Sequence, residues 1–343
     1  MTPIRQLLVA AATLSTALAL AGPCAADEVI DFYRGKTVRV IIGYGPGGGY
    51  DLYGRVTAEY LGRFIPGNPA VVPQNMPGAG SFAAAKYLYE AAPRDGTVLG
   101  IVAQTFPLDA AMKRDKEKVD PTEMPYIGRL TGNVDFGHGM PNARFKTFED
   151  ARAREIVVGA TGGASPALLL PKALNKYAGA KFKIITGYAG SNETMLAAER
   201  GEVEMVGANG LASTMARRPE WITERKVPIL YQATLKRHPL LPHVPALPEL
   251  GLTDEGRAVL TAIASSADIG RAIMTTPGVP KERLAALRKA FQQMLADPDF
   301  LAKMKDRGIT IEPATGEELD EIARQTMNTP KRILELTAEL LKE

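Results

Sequence analysis

The chain has 343 residues, of which 45% are hydrophobic and 23% charged, with a formal net charge of +3, three histidines and one cysteine. That length and apolar content fit two α/β domains, each able to bury its own core. The near-neutral balance excludes a nucleic-acid stripe and a polybasic membrane patch, and the single cysteine excludes a disulfide framework and a cysteine-ligated zinc site.

Residues 1–26 read as a cleavable signal peptide. Arg5 gives a positive start, Leu7 to Leu20 is apolar, and Cys24-Ala25-Ala26 offers small side chains before Asp27. The apolar run of about 14 residues is short of the roughly 20 needed to span a bilayer. Pro23 before Cys24 disfavours a lipidated start. The protein is expected to be exported and monomeric, with no nucleic-acid partner, no cofactor and no metal.

In chain order, Val38 to Ile42 predicts a buried parallel strand. Asp51 stands where an N-cap belongs, before a helix from Leu52 to Phe64. Ile65-Pro-Gly-Asn-Pro69 ends that helix. Ala70 to Val72 predicts a strand, Phe82 to Ala91 a helix and Thr97 to Val102 a third strand. A second unit repeats the alternation. Glu155 to Val158 is a strand, Ser165-Pro166 opens a helix to Tyr177, and Lys181 to Ile185 is a strand. Asn192 to Arg200 is a helix, and Val203 to Val206 and Pro228 to Ala233 are strands. His238 to Gly251 is a proline-rich crossover. Three amphipathic stretches, from Gly278 to Leu295, Asp297 to Arg307 and Glu317 to Glu343, are expected to pack back on the first domain. Strand–loop–helix alternation of this kind indicates doubly wound α/β sheets.

Four glycine-rich loops each follow an apolar run and open a helix: Gly43 to Asp51, Pro77 to Ser81, Gly159 to Ser165 and Gly187 to Ser191. A helix N-terminus carries unpaired N–H groups and the positive end of the macrodipole, so several such ends on one cleft would receive a small anion. No Lys or Arg lies within Val40–Gly54, Gln74–Ala85, Gly159–Pro171 or Thr186–Leu196. The anion is therefore expected to be held by backbone N–H groups, hydroxyls and amides. Tyr44, Tyr50, Tyr53 and Tyr188 flank the loops and are candidates to stack on an aromatic ligand or to donate hydroxyls to a second carboxylate. The dinucleotide pattern at Gly43, Gly45 and Gly48 is weakened by Pro46 and by the lack of an acid after the second strand. Gly163-Ala-Ser165-Pro-Ala167 lacks the final glycine of a nucleophile elbow. His238 and His243 are spaced unlike a helical metal pair.

At these residues the chain resembles the substrate-binding receptors of tripartite tricarboxylate transporters, the Bug family. The resemblance rests on Val38 to Asp51, Gln74 to Ser81, Ala92 to Thr97, Gly159 to Ser165, Gly187 to Ser191, Gly201-Glu-Val203, Val244 to Gly251 and Gly278-Val-Pro280, in family order. It implies a bilobed periplasmic-binding-protein fold of two α/β domains around a hinged interdomain cleft, with 27–134 plus 241–343 as the first domain and 135–240 as the second. It implies a non-enzymatic receptor for a small carboxylate, delivering it to the membrane subunits of a transporter, with a same-fold ligand sensor for a signalling partner as the alternative. Carried over, the ligand-binding candidates are Tyr44, Pro46, Gly48, Gly49, Tyr50, Asp51, Gly80, Ser81, Thr161, Gly163, Ala164, Ser165, Tyr188, Ser191 and Asn209. Where the family often has Asp before the Asn, this chain has Ala208-Asn209. That departure implies a preference for plain mono- or dicarboxylates over amine-bearing ones.

Overall fold

A computed structural model describes residues 25–113 and 116–342. The expected leader, apart from its last two residues, lies outside them. The first described element is helix α1 (Ala25–Tyr33).

Two mixed sheets form the frame. The first contains β1 (Thr37–Ile42), β2 (Ala70–Asn75), β3 (Val98–Ile101), β4 (Tyr126–Arg129), β10 (Ala272–Thr275) and β11 (Ala314–Thr315), in the order β11-β4-β10-β3-β1-β2. β1 runs parallel to β2 and β3, and β10 lies antiparallel between β3 and β4. The second contains β5 (Asp135–Gly139), β6 (Ile156–Gly159), β7 (Phe182–Ile185), β8 (Met205–Gly210) and β9 (Ile229–Gln232), in the order β7-β6-β8-β5-β9. β6 is parallel to β7 and β8, and β5 is antiparallel to β8 and β9.

The pleat of β1 sends alternate side chains to opposite faces. Val38, Val40 and Ile42 join Tyr33, Tyr53, Phe291 and Phe300 on one side, and Ile41 joins Phe82, Leu88 and Met274 on the other. Met274 belongs to β10 of the same sheet; the other partners come from α1, α2 (Gly49–Tyr60), α3 (Phe82–Glu90), α12 (Lys281–Ala296) and α13 (Pro298–Asp306), which cover the first sheet, as does α14 (Gly316–Met327). On the second sheet Ile156, Val158 and Met205 pack with Leu170 and Leu174 of α6 (Pro166–Ala178) and with Val259 and Ile263 of α11 (Asp254–Ser265).

The C-terminal helices do not all return to the first sheet as expected. α12, α13 and α14 do. In α15 (Lys331–Glu339), Ile333 and Leu336, with Leu340 just beyond, pack into the core of the second sheet. Pro330 breaks the chain before α15 and lets it turn across. Leu334 also packs against the core of the first sheet, so α15 spans both lobes.

Two segments carry the chain between the sheets, and they pair with each other. Leu130 N–H donates to Arg271 O at 3.1 Å, and Arg271 N–H donates to Thr131 O at 2.9 Å. This backbone pair forms the hinge at the floor of the cleft.

Candidate functional site

All four glycine loops sit at the carboxyl ends of parallel strands, where open α/β sheets bind ligands. The loops of one lobe meet those of the other directly. Gly45 N–H donates to Ala189 O at 3.0 Å, and the Thr105 hydroxyl donates to Ala164 O at 2.9 Å. Arg217, at the end of α8 (Leu211–Arg217), reaches across to Gly47 O and, at 3.3 Å, Gly48 O. Gly80 and Gly163, both at positive φ, face each other so closely that neither position has room for a Cβ.

Behind these contacts lies a cavity walled by both lobes. Tyr44, Gly48, Gly49 and Tyr50 come from the first loop. Thr161 and Ser165 come from the third, Pro166 and Ala167 from the start of α6, and Ser191, Ala208, Asn209 and Gly210 complete the opposite wall. The space between the walls is about 450 Å³, counting the part open to solvent. The N-termini of α2, α6 and α7 (Ser191–Glu199) all open onto it, so their free N–H groups bias it toward an anion.

The expectation that no basic side chain serves the site is overturned by Arg271. It is 3% exposed and lines the cavity from the hinge. Its guanidinium lies 3.9 Å over the ring of Tyr50, which is itself stacked on Tyr44 with ring centroids 4.6 Å apart. The Tyr50 hydroxyl accepts from Gln104 N–H at 2.8 Å. The arginine is thus held in place by a pinned aromatic pair. Its Nη1 is buried and has no hydrogen-bond acceptor among the described residues. Asp135, also lining the cavity, approaches Arg271 at 3.9 Å, too far for a hydrogen bond. Asp135 accepts from Asn133 Nδ2 at 2.8 Å. Burial pushes its carboxyl above the usual range, and Arg271 and Asn133 only partly oppose this.

Eight of the fifteen predicted residues line the cavity: Tyr44, Gly48, Gly49, Tyr50, Thr161, Ser165, Ser191 and Asn209. The other seven lie elsewhere. Gly80, Gly163 and Ala164 make the contacts between lobes, and the Ser81 hydroxyl accepts from Ala103 N–H at 2.7 Å. Pro46 is exposed. Tyr188 packs beside Val203 and Val206, and the Tyr53 hydroxyl donates to Thr310 O in the core.

Asp51 is not the N-cap. Gly48 caps α2, and Asp51 sits three residues in, its carboxylate turned back onto Gly47 N–H at 2.9 Å. Asn75 and Arg55 also bond it. Burial alone would raise its pKa, but Arg55, Gly47 and Asn75 outweigh that and hold it below the usual range. Its role is to fix the first glycine loop. Ser165 does occupy the N-cap position of α6, where its hydroxyl accepts from Thr161 at 2.6 Å. Ser191 is the first residue of α7, and Gly190 is the cap. Asn209 is oriented by His138, whose Nδ1 meets Gly139 O at 2.8 Å, leaving Nε2 to face the Asn209 amide at 3.5 Å. Burial lowers the His138 pKa to about 4, so the ring is neutral.

Two α/β lobes closing through opposed glycine loops on one cavity define a bilobed periplasmic-binding-protein fold. Among solved structures, the chain is similar to the periplasmic binding protein BugD, with TM-score 0.68 and 21% identity over 90% of this chain and 98% of that one. It is also similar to MatC from Rhodopseudomonas palustris with bound malate, with TM-score 0.68 and 19% identity over 88% and 99%. Among curated proteins, it is 27% identical to the UPF0065 protein in the gbd 5′ region of Cupriavidus necator, over 96% of this chain and 97% of that one. The family model for the tripartite tricarboxylate transporter family receptor matches residues 55–338. The chain belongs to that receptor family.

Proposed function

We propose that this chain is a periplasmic receptor that closes on one small aliphatic carboxylate and delivers it to the membrane subunits of a tripartite tricarboxylate-type transporter. The observation that carries this reading is Arg271: a buried cation with an unpartnered N–H, at the floor of a cavity onto which three helix N-termini open. A buried donor without a partner is costly, and a carboxylate supplies the charge-assisted bond that is missing. Malate bound to MatC supports a carboxylate as the ligand class. The Tyr50 ring is already engaged by Tyr44 and Arg271, which favours an aliphatic over an aromatic acid.

Calorimetric titration with propionate, succinate, malate, glutarate and adipate tests the reading. At least one should bind wild type, and Arg271→Met should weaken it roughly 10- to 150-fold, the worth of a hydrogen bond to a charged group. Equal affinity in the variant would refute the assignment. The delivery step is tested by uptake: deleting the gene in its own cell should abolish transport of the acid that binds.

A further inference from the structure

Asp135 and Arg271 place opposite charges side by side in one cavity, and neither is hydrogen-bonded to the other. Their separation of 3.9 Å leaves the Arg271 Nη1 without an acceptor and gives Asp135 one side-chain donor, the Asn133 amide. Asp135 is 4% exposed, and a buried carboxylate needs several donors to stay charged. It stands directly opposite Gly210 in the β5–β8 ladder, so it faces the cavity from the strand beside Ala208 and Asn209. The absence of an acid at Ala208 therefore does not leave this wall without one, because the neighbouring strand supplies it.

A plain carboxylate would satisfy Arg271 but bring a second anion beside Asp135. A ligand carrying both a carboxylate and an ammonium would satisfy both groups. In an α-amino acid the amino nitrogen and carboxyl carbon are about 2.5 Å apart, close enough to address two groups that are themselves in near contact. A Cβ at Gly210 would lie 2.6 Å from both Arg271 Nη2 and Asn133 Oδ1, so glycine there is what lets the charged pair reach the cavity wall.

We infer that Asp135 is a specificity-determining residue that selects a zwitterion, a small acid bearing an ammonium beside its carboxylate, over the plain acid of the same skeleton. This rests on the carboxylate-receptor reading above and narrows its ligand class.

The test is calorimetric titration of the full protein with matched pairs: propionate and L-alanine, succinate and L-aspartate, glutarate and L-glutamate, with lactate and malate as the hydroxyl counterparts. The expected result is that in at least one pair the amino acid binds wild type roughly 10- to 150-fold more tightly than its plain partner, as a hydrogen-bonded charge contributes. It should also bind more tightly than the hydroxy acid. Asp135→Asn should remove most of that preference while still binding the plain acid. Plain acids binding as well as or better than their amino partners in every pair overturns the inference and leaves the receptor reading standing. Tightest binding by a hydroxy acid overturns it as well. Binding of none of these acids would remove the receptor reading too. The wild-type comparison decides the matter even if Asp135→Asn fails to fold.

Discussion

Gly163→Ala tests whether the two lobes meet in the ligand-bound protein as they do here. Gly163 has φ 62°, and a Cβ there would sit 2.0 Å from Ala79 O and 2.4 Å from Ala79 C. Both are backbone atoms of the opposite lobe, so no side chain can swing aside. Favourable contact needs about 3.5–4.0 Å, so the loops must part by more than an ångström. Overpacking of this kind costs about 1–3 kcal/mol, which falls only on the closed form and predicts a loss of affinity of roughly 5- to 150-fold. The left-handed backbone adds about 1–2 kcal/mol of strain in open and closed forms alike. Gly179→Ala isolates that second cost. Gly179 has φ 71°, but its Cβ would come no nearer than 3.5 Å to Leu252, an ordinary contact. Both variants should melt earlier by a similar amount, while only Gly163→Ala should weaken ligand binding in calorimetry and reduce ligand-driven compaction in small-angle scattering. Matching affinities in the two variants would refute closure through this loop pair.

Ser165→Ala removes the hydroxyl that accepts from Thr161 and occupies the α6 cap. Losing that buried hydrogen bond should cost about 0.5–1.5 kcal/mol in denaturant titration and weaken ligand binding by at least several-fold. Arg217→Ala cuts a clamp from α8 to the first glycine loop. It should speed ligand release in stopped-flow measurements without changing the melting temperature by more than a degree or two. Neutral, buried His138 has a folded pKa near 4 against about 6.5 unfolded, so the unfolded chain binds the extra proton. Its contribution is complete above pH 6.5 and is lost as pH falls toward 4, by about 3 kcal/mol at most. His138→Gln should flatten the wild-type stability profile in that window, and an unchanged slope would show that the ring is not buried neutral.

The glycine loops are legible in the sequence because parallel strands that end at a cleft leave two local marks, an apolar run followed by glycines and the start of a helical period. Tyr44 to Tyr50 and Thr161 to Ser165 were found that way. The floor of the site carries neither mark. Asp135 opens β5, whose Asp-Phe-Gly-His-Gly has two glycines and no apolar alternation, and Arg271 precedes a strand of only four residues. Both strands run antiparallel to their neighbours, and Asp135 and Arg271 lie at their amino-terminal ends, away from the strand-to-helix turns that mark the parallel strands. The two residues are 136 positions apart in numbering and meet only because the hinge segments pair through Leu130, Thr131 and Arg271. A scan for cations near the glycine loops therefore finds none, although the fold places one beneath them. This also locates the charge where closure can use it. The jaws supply helix N-termini that come together only when the lobes meet, while Arg271 and Asp135 sit on or beside the hinge, at the floor of the cleft. A ligand that engages the floor first is then enclosed by the jaws, and the preference set by Asp135 acts before the loops close over it.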